Sequence, residues 1–443
     1  MTEALTPGLL VLHGNRLEAL AGTVFAWLAR HPLAPLEEEV VLVPSNGMAE
    51  WFKAELAGTL GVCAATRVEL PARFLWRAWR AVLGRGAVPA RSALDKQPLA
   101  WSLMALLPDL LHEPDFAPVA GFLRPEGDAL RRLQLARRLA DLFDQYQVYR
   151  ADWLDDWARG EDRLRAADGG ARPLPADQRW QPRLWRALLA RLPAEQAGAA
   201  RPALHRRFLQ ALDDCADGTP LPGLPRRLLL FGSTHIPLQT LQALAALSRH
   251  VQVLLAVPNP CRFHWADLIA GRELLRAERR RQPLRGGRDL ATLDPTELHA
   301  HGHPLLAAWG RQARDFVRQL DAFDDAELAR QRFALPRLDL FDETPGDTLL
   351  AQVQAAVRDL VPLAEQRAAA RPPAAGDRSI VFHVAHSAQR EVEILHDQLL
   401  HLFAQPPGGE PLAPREVVVM VPDIARFAPA IRAVFGALPR GHA

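Results

Sequence analysis

A short apolar run, a polar turn and an amphipathic helix follow one another in "GLLVLHGNRLEALAGTVFAWLARH", Gly8 to His31. This order restricts the fold more than any other feature of the chain, because it is the frame of a phosphate-binding loop. A second apolar run, "EEEVVLVPSNG", and a second helix, "MAEWFKAELAGTLG", follow directly, and Gly61 closes that helix. Buried parallel strands read as continuous apolar runs joined by helical crossovers, so the chain opens as α/β. A working phosphate loop needs G-x-x-x-x-G-K-[ST] at its turn. Here the turn is His13-Gly14-Asn15-Arg16, with no lysine and no Ser/Thr after it. The frame is kept and its chemistry is missing.

Strands return at "RRLLLFGSTHIP" (Arg226–Pro237) and "HVQVLLAVPNP" (His250–Pro260), around the helix "LQTLQALAALSR", as a βαβ unit. From Pro71 to Leu212 the sequence predicts no strands, only Trp- and Leu-rich amphipathic helices separated by Pro/Gly turns. The basic stretch "ELLRAERRRQPLRGGRD" is expected on a surface helix and loop, and the low-complexity "AEQRAAARPPAAGDR" (Ala364–Arg378) in a linker. After it the opening pattern recurs: "SIVFHVAHSAQREVEILHDQLLHLF" repeats strand, turn and helix, and "PREVVVMVPD" matches "EEEVVLVPSN". The expected organisation is a first α/β domain in two parts, residues 1–70 and 221–345, with a helical insertion at 71–220. A linker at 346–378 and the start of a second α/β domain of the same design at 379–443 complete it. With only one βαβ of the second domain written, the chain is expected to be a piece of a longer protein.

At 443 residues, roughly two to four domains are the prior. The net charge of +2 leaves no global basic field, so any nucleic-acid surface must be local. Arginine supplies almost all cations; Lys53 and Lys96 are the only lysines. Cys63, Cys215 and Cys261 are scattered, against a disulfide framework or a zinc site. The absence of an apolar run of about 18 residues and of a signal-like N-terminus points to a soluble cytoplasmic protein. ATP hydrolysis would need a lysine at the loop and an acidic residue at a neighbouring strand end. The candidate strand ends are Gly232-Ser233-Thr234-His235 and Pro44-Ser45-Asn46, polar and neutral. His235 as base and Ser233 as nucleophile lack a G-x-S-x-G elbow and read better as turn residues. His299, His301 and His303 alternate in a Gly/Pro loop with no Cys beside them and read as a solvated loop rather than a metal site.

The helix "ARRLADLFDQYQVYRADWL" is the most informative segment. Leu135, Leu139, Leu142, Phe143 and Tyr146 form an apolar stripe, with Asp141, Asp144 and Gln145 beside it and Arg150 further on. Asp141 and Gln145 stand one turn apart. Acidic side chains can accept from cytosine's amine, Gln can pair with adenine, and Arg can reach guanine or phosphate. An amphipathic helix with a merely solvated acidic face fits the same pattern.

Here and at the first turn the sequence resembles the RecC family, the gamma subunit of exodeoxyribonuclease V (the RecBCD helicase–nuclease). The resemblance rests on "HGNRLEAL", "LVPSNGMAEW", "LPARFLW", "KQPLAWSLMALLP", "ADLFDQYQVYRADWL", "PNPCRFHW", "HPLLAAWG" and "HSAQREVEILHDQLL", in order from residue 13 to about 400. It implies a superfamily-1 helicase-like fold with a decayed ATP site, a large helical insertion, and the start of a second motor-like domain. It implies a non-catalytic subunit that channels single-stranded DNA, scans it for the Chi sequence and serves double-strand-break repair and recombination. RecB-like and RecD-like partners would carry the ATP, the Mg²⁺ and the nuclease, with no cofactor in this chain. The family's Chi-reading surface maps onto Leu70, Trp76, Asp141, Leu142, Asp144, Gln145, Arg150 and Arg201. One segment departs: where the best-known pattern has Gln-Ser-Thr-Gly-Met-Ala-Gln, this chain has Pro44-Ser45-Asn46-Gly47-Met48-Ala49-Glu50. Two amide readers become Pro and Glu, so a different octamer is expected. An independent ATP-dependent motor and a purely structural scaffold remain the alternatives.

Overall fold

In the computed structural model, residues 5–123, 128–166, 170–265, 303–321, 323, 340–343 and 346–436 are described. Two compact units divide the chain, the larger made of residues 1–344 and 354–370, the smaller of 345–353 and 371–443. The basic stretch 273–289, His299 and His301 lie outside the described residues.

The larger unit is built on a parallel sheet of β1 (Gly8–Gly14), β2 (Glu39–Leu42), β3 (Thr66–Glu69), β6 (Arg227–Phe231) and β7 (Gln252–Pro258), in the order β1-β7-β6-β2-β3. Side chains alternate between faces along a strand, and both faces are apolar here. On one side Val40, Leu42, Leu228, Leu230, Val253 and Leu255 pack against Phe74 and Trp79, Leu204 and Phe208, and Leu241 and Leu244. Those residues come from α3 (Pro71–Leu83), α10 (Arg201–Asp213) and α11 (Leu238–Leu247). On the other side Leu10, Val41, Leu229, Phe231 and Leu254 meet Leu20, Val24, Phe25, Phe52 and Leu56, from α1 (Leu17–Arg30) and α2 (Asn46–Leu60). The result is a three-layer α/β core. Local sequence sets the helix ends. Ser45 Oγ accepts from Met48 N–H at 3.1 Å to start α2. Gly61, at φ 81°, ends it, and Pro71 opens α3 where its missing N–H costs nothing.

Between β3 and β6 the chain leaves the sheet and builds a second core from α4 (Lys96–Leu110), α5 (Ala117–Leu123), α6 (Ala129–Tyr149), α7 (Ala151–Ala158) and α8 (Trp180–Arg191), and the short α9 (Ala194–Ala197) leads on to α10, which returns to the sheet core. Leu99, Leu103, Leu107, Leu139, Phe143, Trp157, Leu184 and Trp185 fill it. The expectation of an all-helical segment needs correction. A short antiparallel hairpin, β4 (Arg163–Arg165) and β5 (Ala171–Pro173), is inserted there. Its Arg163 and Arg165 bond Asp156 Oδ2 through their Nε atoms, each at 2.7 Å, and Arg159 Nη2 reaches Oδ1 at 2.7 Å. Asp156 is fully buried. Burial alone would raise its pKa, but the Arg165 and Arg163 guanidiniums overturn that and hold the carboxyl far below the usual range.

Residues 346–378, expected as a linker, contain the helices Leu349–Arg358 and Leu363–Ala369. In the smaller unit the helices Ala388–Ala404 and Ile424–Phe435 form as the repeat implies, capped by Ser387 and Asp423. His396 packs edge-on against Phe435 at 5.1 Å. The matching strands do not form. Residues 379–387 and 415–421 carry no ladder bonds among the described residues, and Phe382, Val384, Val418 and Met420 stand exposed. A strand exists only through a neighbour's hydrogen bonds, and the described residues of this unit provide none. No helix among the described residues is long and apolar enough to cross a membrane.

Candidate nucleic-acid interface

Two places at the carboxyl ends of the sheet, where open α/β folds bind ligands, carry the chemistry. The first is the phosphate-loop-like turn after β1. A working loop offers its backbone N–H groups and helix N-terminus to phosphate. Here the chain's own residues 340–343 lie against it. Asn15 Nδ2 donates to the Asp342 carbonyl and Asp342 N–H donates to Asn15 Oδ1, both at 2.9 Å. Gly14 forms a bridge with Leu340, and a Cβ added at Gly14 would stand 3.0 Å from the Leu340 carbonyl oxygen. Arg16 lies 3.9 Å from the Asp342 carboxylate.

The second place is a cavity of about 580 Å³ beside the ends of β2, β3 and β6. Pro44 follows β2, Leu70 follows β3, and Ser233 and His235 follow β6; all four line the cavity. Trp76 of α3 adds a half-buried aromatic wall, 5.6 Å from the ring of Trp79. Gln147 and Tyr149, at the end of α6, and Arg201, the first residue of α10, also line the cavity. Arg201 reaches both Asp95 and Asp144 at 3.5 Å. Such long, part-exposed pairs contribute little energy, so Arg201 is held loosely and can turn toward an anion.

The cavity therefore brings together Leu70, Trp76 and Arg201, and Asp144 through its pair with Arg201. The other residues singled out from the sequence do not line it. Asp141 pairs with Lys96, Leu142 packs on the helical core, and Gln145 is exposed. Arg150 is committed elsewhere. It bonds Asp152 at 3.0 and 2.6 Å, donates to the Arg165 carbonyl, and stacks 3.9 Å above Trp153. Glu50 pairs with Lys53 at 3.1 Å. His303 of the histidine-rich loop is buried, with its Nε2 3.0 Å from Gln366 Oε1.

Sequence reasoning missed Arg73, Gln147, Tyr149 and Gln239 on the cavity wall, and set Ser233 and His235 aside as turn residues. Arg73 is exposed and has no ion pair among the described residues. The available signal was positional: these residues stand at the ends of runs that read as strands and helices, and strand ends are where α/β sites form.

Comparison with known proteins places the chain in a family. The family described as "RecC, N-terminal domain" matches residues 9–360. The protein named "RecBCD enzyme subunit RecC" of Escherichia coli K12 is 36% identical over 97% of this chain and 38% of its own length. Its namesakes from Haemophilus influenzae and Mycolicibacterium smegmatis are 34% and 32% identical, each over 96% of this chain and over 39% and 34% of their own lengths. The chain thus spans less than two-fifths of the length of these relatives. With a family match over most of its residues and these identities along nearly all of it, the chain belongs to the RecC family.

Proposed function

We propose that the chain is the DNA-guiding and sequence-sampling portion of a RecBCD-type helicase–nuclease, acting in recombination and double-strand-break repair in the cytoplasm, and that it hydrolyses no ATP itself. The sheet is read as a superfamily-1 motor scaffold that has lost its nucleotide chemistry. ATP, Mg²⁺ and strand cutting belong to RecB-like and RecD-like partners. One observation carries this reading: a strand-end cavity gathers Leu70, Trp76 and Arg201, while the turn that would hold phosphate is bonded to residues 340–343. Stacking of a base on an aromatic ring is worth about 1–3 kcal/mol, which suits Trp76, and loosely held arginine suits the backbone phosphates. The names of the relatives favour the same assembly. Because Pro44 lines the cavity and cannot read a base through its side chain, the preferred octamer differs from the common Chi sequence.

The test is photocrosslinking of single-stranded DNA in the complex assembled with partner subunits. Crosslinks at Trp76 that Trp76→Ala abolishes are expected. No crosslink at Trp76 would favour a structural scaffold, and saturable ATP binding by the isolated chain would favour an independent motor.

A further inference from the structure

The phosphate-loop-like turn after β1 is one corner of a closed ring of hydrogen bonds. The Gly14 carbonyl accepts from the Asn259 N–H at 2.8 Å, just past the end of β7. Asn259 is 1% exposed, and its Oδ1 accepts from the Cys261 N–H at 3.1 Å and from Trp265 Nε1 at 3.0 Å. Further along, the Arg262 N–H donates to the Arg358 carbonyl at 3.1 Å, and Arg262 Nε stands 3.0 Å from the Asp359 carboxylate. Arg358 is itself buried. It donates through Nη1 to the Asp342 carbonyl at 3.3 Å and through Nη2 to Asp359 at 2.7 Å. Asp342 closes the ring on Asn15. Along it Arg16, Arg262 and Arg358 face the carboxylates of Asp342, Glu343 and Asp359 at 2.7 to 3.9 Å, so these arginines are already engaged by the chain's own anions.

The place of the ring in the chain is a second, independent observation. The chain leaves the larger unit after residue 344 and re-enters it at residue 354. Asp342 stands before that excursion. Arg358 stands after it, as the last residue of the helix Leu349–Arg358. The bond between them, with their ties to Asn15 and Arg262, fastens both legs of the excursion to the carboxyl ends of β1 and β7. In a working motor such a turn takes its bonds from a nucleotide, and segments ordered by the terminal phosphate are released on hydrolysis. Here the bonds come from the chain and have no cycle to follow.

We infer that the lapsed phosphate turn is a nucleotide-independent anchor, which fixes the points where the chain leaves and re-enters the larger unit, with Asn15 and Arg358 as its two fastenings. The inference rests on the reading of the sheet as a lapsed motor scaffold and gives a use to the turn that the scaffold kept. Bonds joined in one network support one another, so opening the ring at one side loosens the backbone at the other.

Hydrogen exchange, followed peptide by peptide in the complex assembled with its partner subunits, tests this. In the wild type, residues 13–16, 340–343 and 356–361 should exchange slowly, and equally so with and without saturating ADP and Mg²⁺. Asn15→Asp keeps an acceptor for the Asp342 N–H, loses the donor to its carbonyl and sets a second carboxylate beside that of Asp342. Exchange should then quicken roughly tenfold at 340–343 and at 356–361, with β6 unchanged. Asp359→Asn, on the far side of the ring, should quicken exchange at 13–16; should that variant fail to fold, Asn15→Asp decides alone. An Asn15→Asp effect confined to 13–16, or wild-type protection that rises with ADP, overturns the inference. Trp76 crosslinking to single-stranded DNA in the same samples reads the DNA-sampling proposal separately. Crosslinks without linked exchange remove only the anchor, and linked exchange without crosslinks removes only the DNA sampling.

Discussion

Asn15 and Asp342, separated by most of the larger unit's sequence, exchange two hydrogen bonds of 2.9 Å through the side-chain amide of one and the backbone of the other. The pair occupies the turn where a motor protein would seat a phosphate, and with the turn's lysine missing it leaves little for a nucleotide to bind. Titration calorimetry of the isolated chain with millimolar ATP and Mg²⁺ should give no saturable heat. Asn15→Ala, which removes the two side-chain bonds to Asp342, should give none either, because the lysine is still absent. Saturable heat in the wild type would refute the closed-turn account.

Asp156 ties α7 to the β4–β5 hairpin through Arg159, Arg163 and Arg165. Asp156 is buried while its arginines stay 40–44% exposed, so Asp156→Asn loses charged hydrogen bonds but strands no buried charge, and should destabilise the helical insertion by about 2 kcal/mol at neutral pH. The folded carboxyl titrates far below an unfolded aspartate at about 3.9. Its stabilisation is therefore complete above that value and disappears as the pH falls below about 4 toward the folded pKa. Urea titrations followed by tryptophan fluorescence should show a wide gap between wild type and variant at pH 7. At about pH 3 the gap should narrow.

Arg73 sits exposed at the mouth of the cavity without an ion pair among the described residues. A phosphate contact there predicts that Arg73→Ala weakens all single strands alike and lowers the slope of log affinity against log salt by about 1. An effect confined to one sequence would make Arg73 a base reader instead.

Ser233 carries a buried hydroxyl with no hydrogen-bond partner among the described residues. Ser233→Ala should therefore raise stability by about 1 kcal/mol, read as a higher melting temperature. A lower melting temperature would show that the hydroxyl has a structural partner after all.

The sequence made some of this legible and concealed the rest for physical reasons. β1, β2, β6 and β7 could be read because strands buried on both faces must be continuous apolar runs. β3, "TRVE", and the hairpin segments "RLR" and "ARP" carried no such signal. They are short, and arginine is tolerated where the ladder holds the backbone and the side chain reaches a carboxylate. Residues 379–387 and 415–421 show the opposite case: a strand-like pattern without a neighbouring strand to pair with. At the site, Leu70, Trp76 and Arg201 were reached only through the family resemblance. Ser233 and His235 were visible as strand-end residues, but nothing local says that β2, β3 and β6 end beside one another. Arg150 looked free because the carbonyl of Arg165 and the face of Trp153 that engage it are set by tertiary packing.

The order of strands also bears on how the protein comes to be made. Among the described strands β1 pairs with β7 alone, Gly8 meeting Gln252, so β1 waits during synthesis for a partner that lies beyond the whole helical insertion. At ordinary rates of synthesis that interval is about ten to fifty seconds. Throughout it, the apolar β1 lacks its ladder partner, while α1 can meet only β2 and α2, and the helical insertion can already be folding. The nascent chain is thus a natural client for chaperones, and slowing translation between residues 14 and 252 should lower the yield of soluble protein.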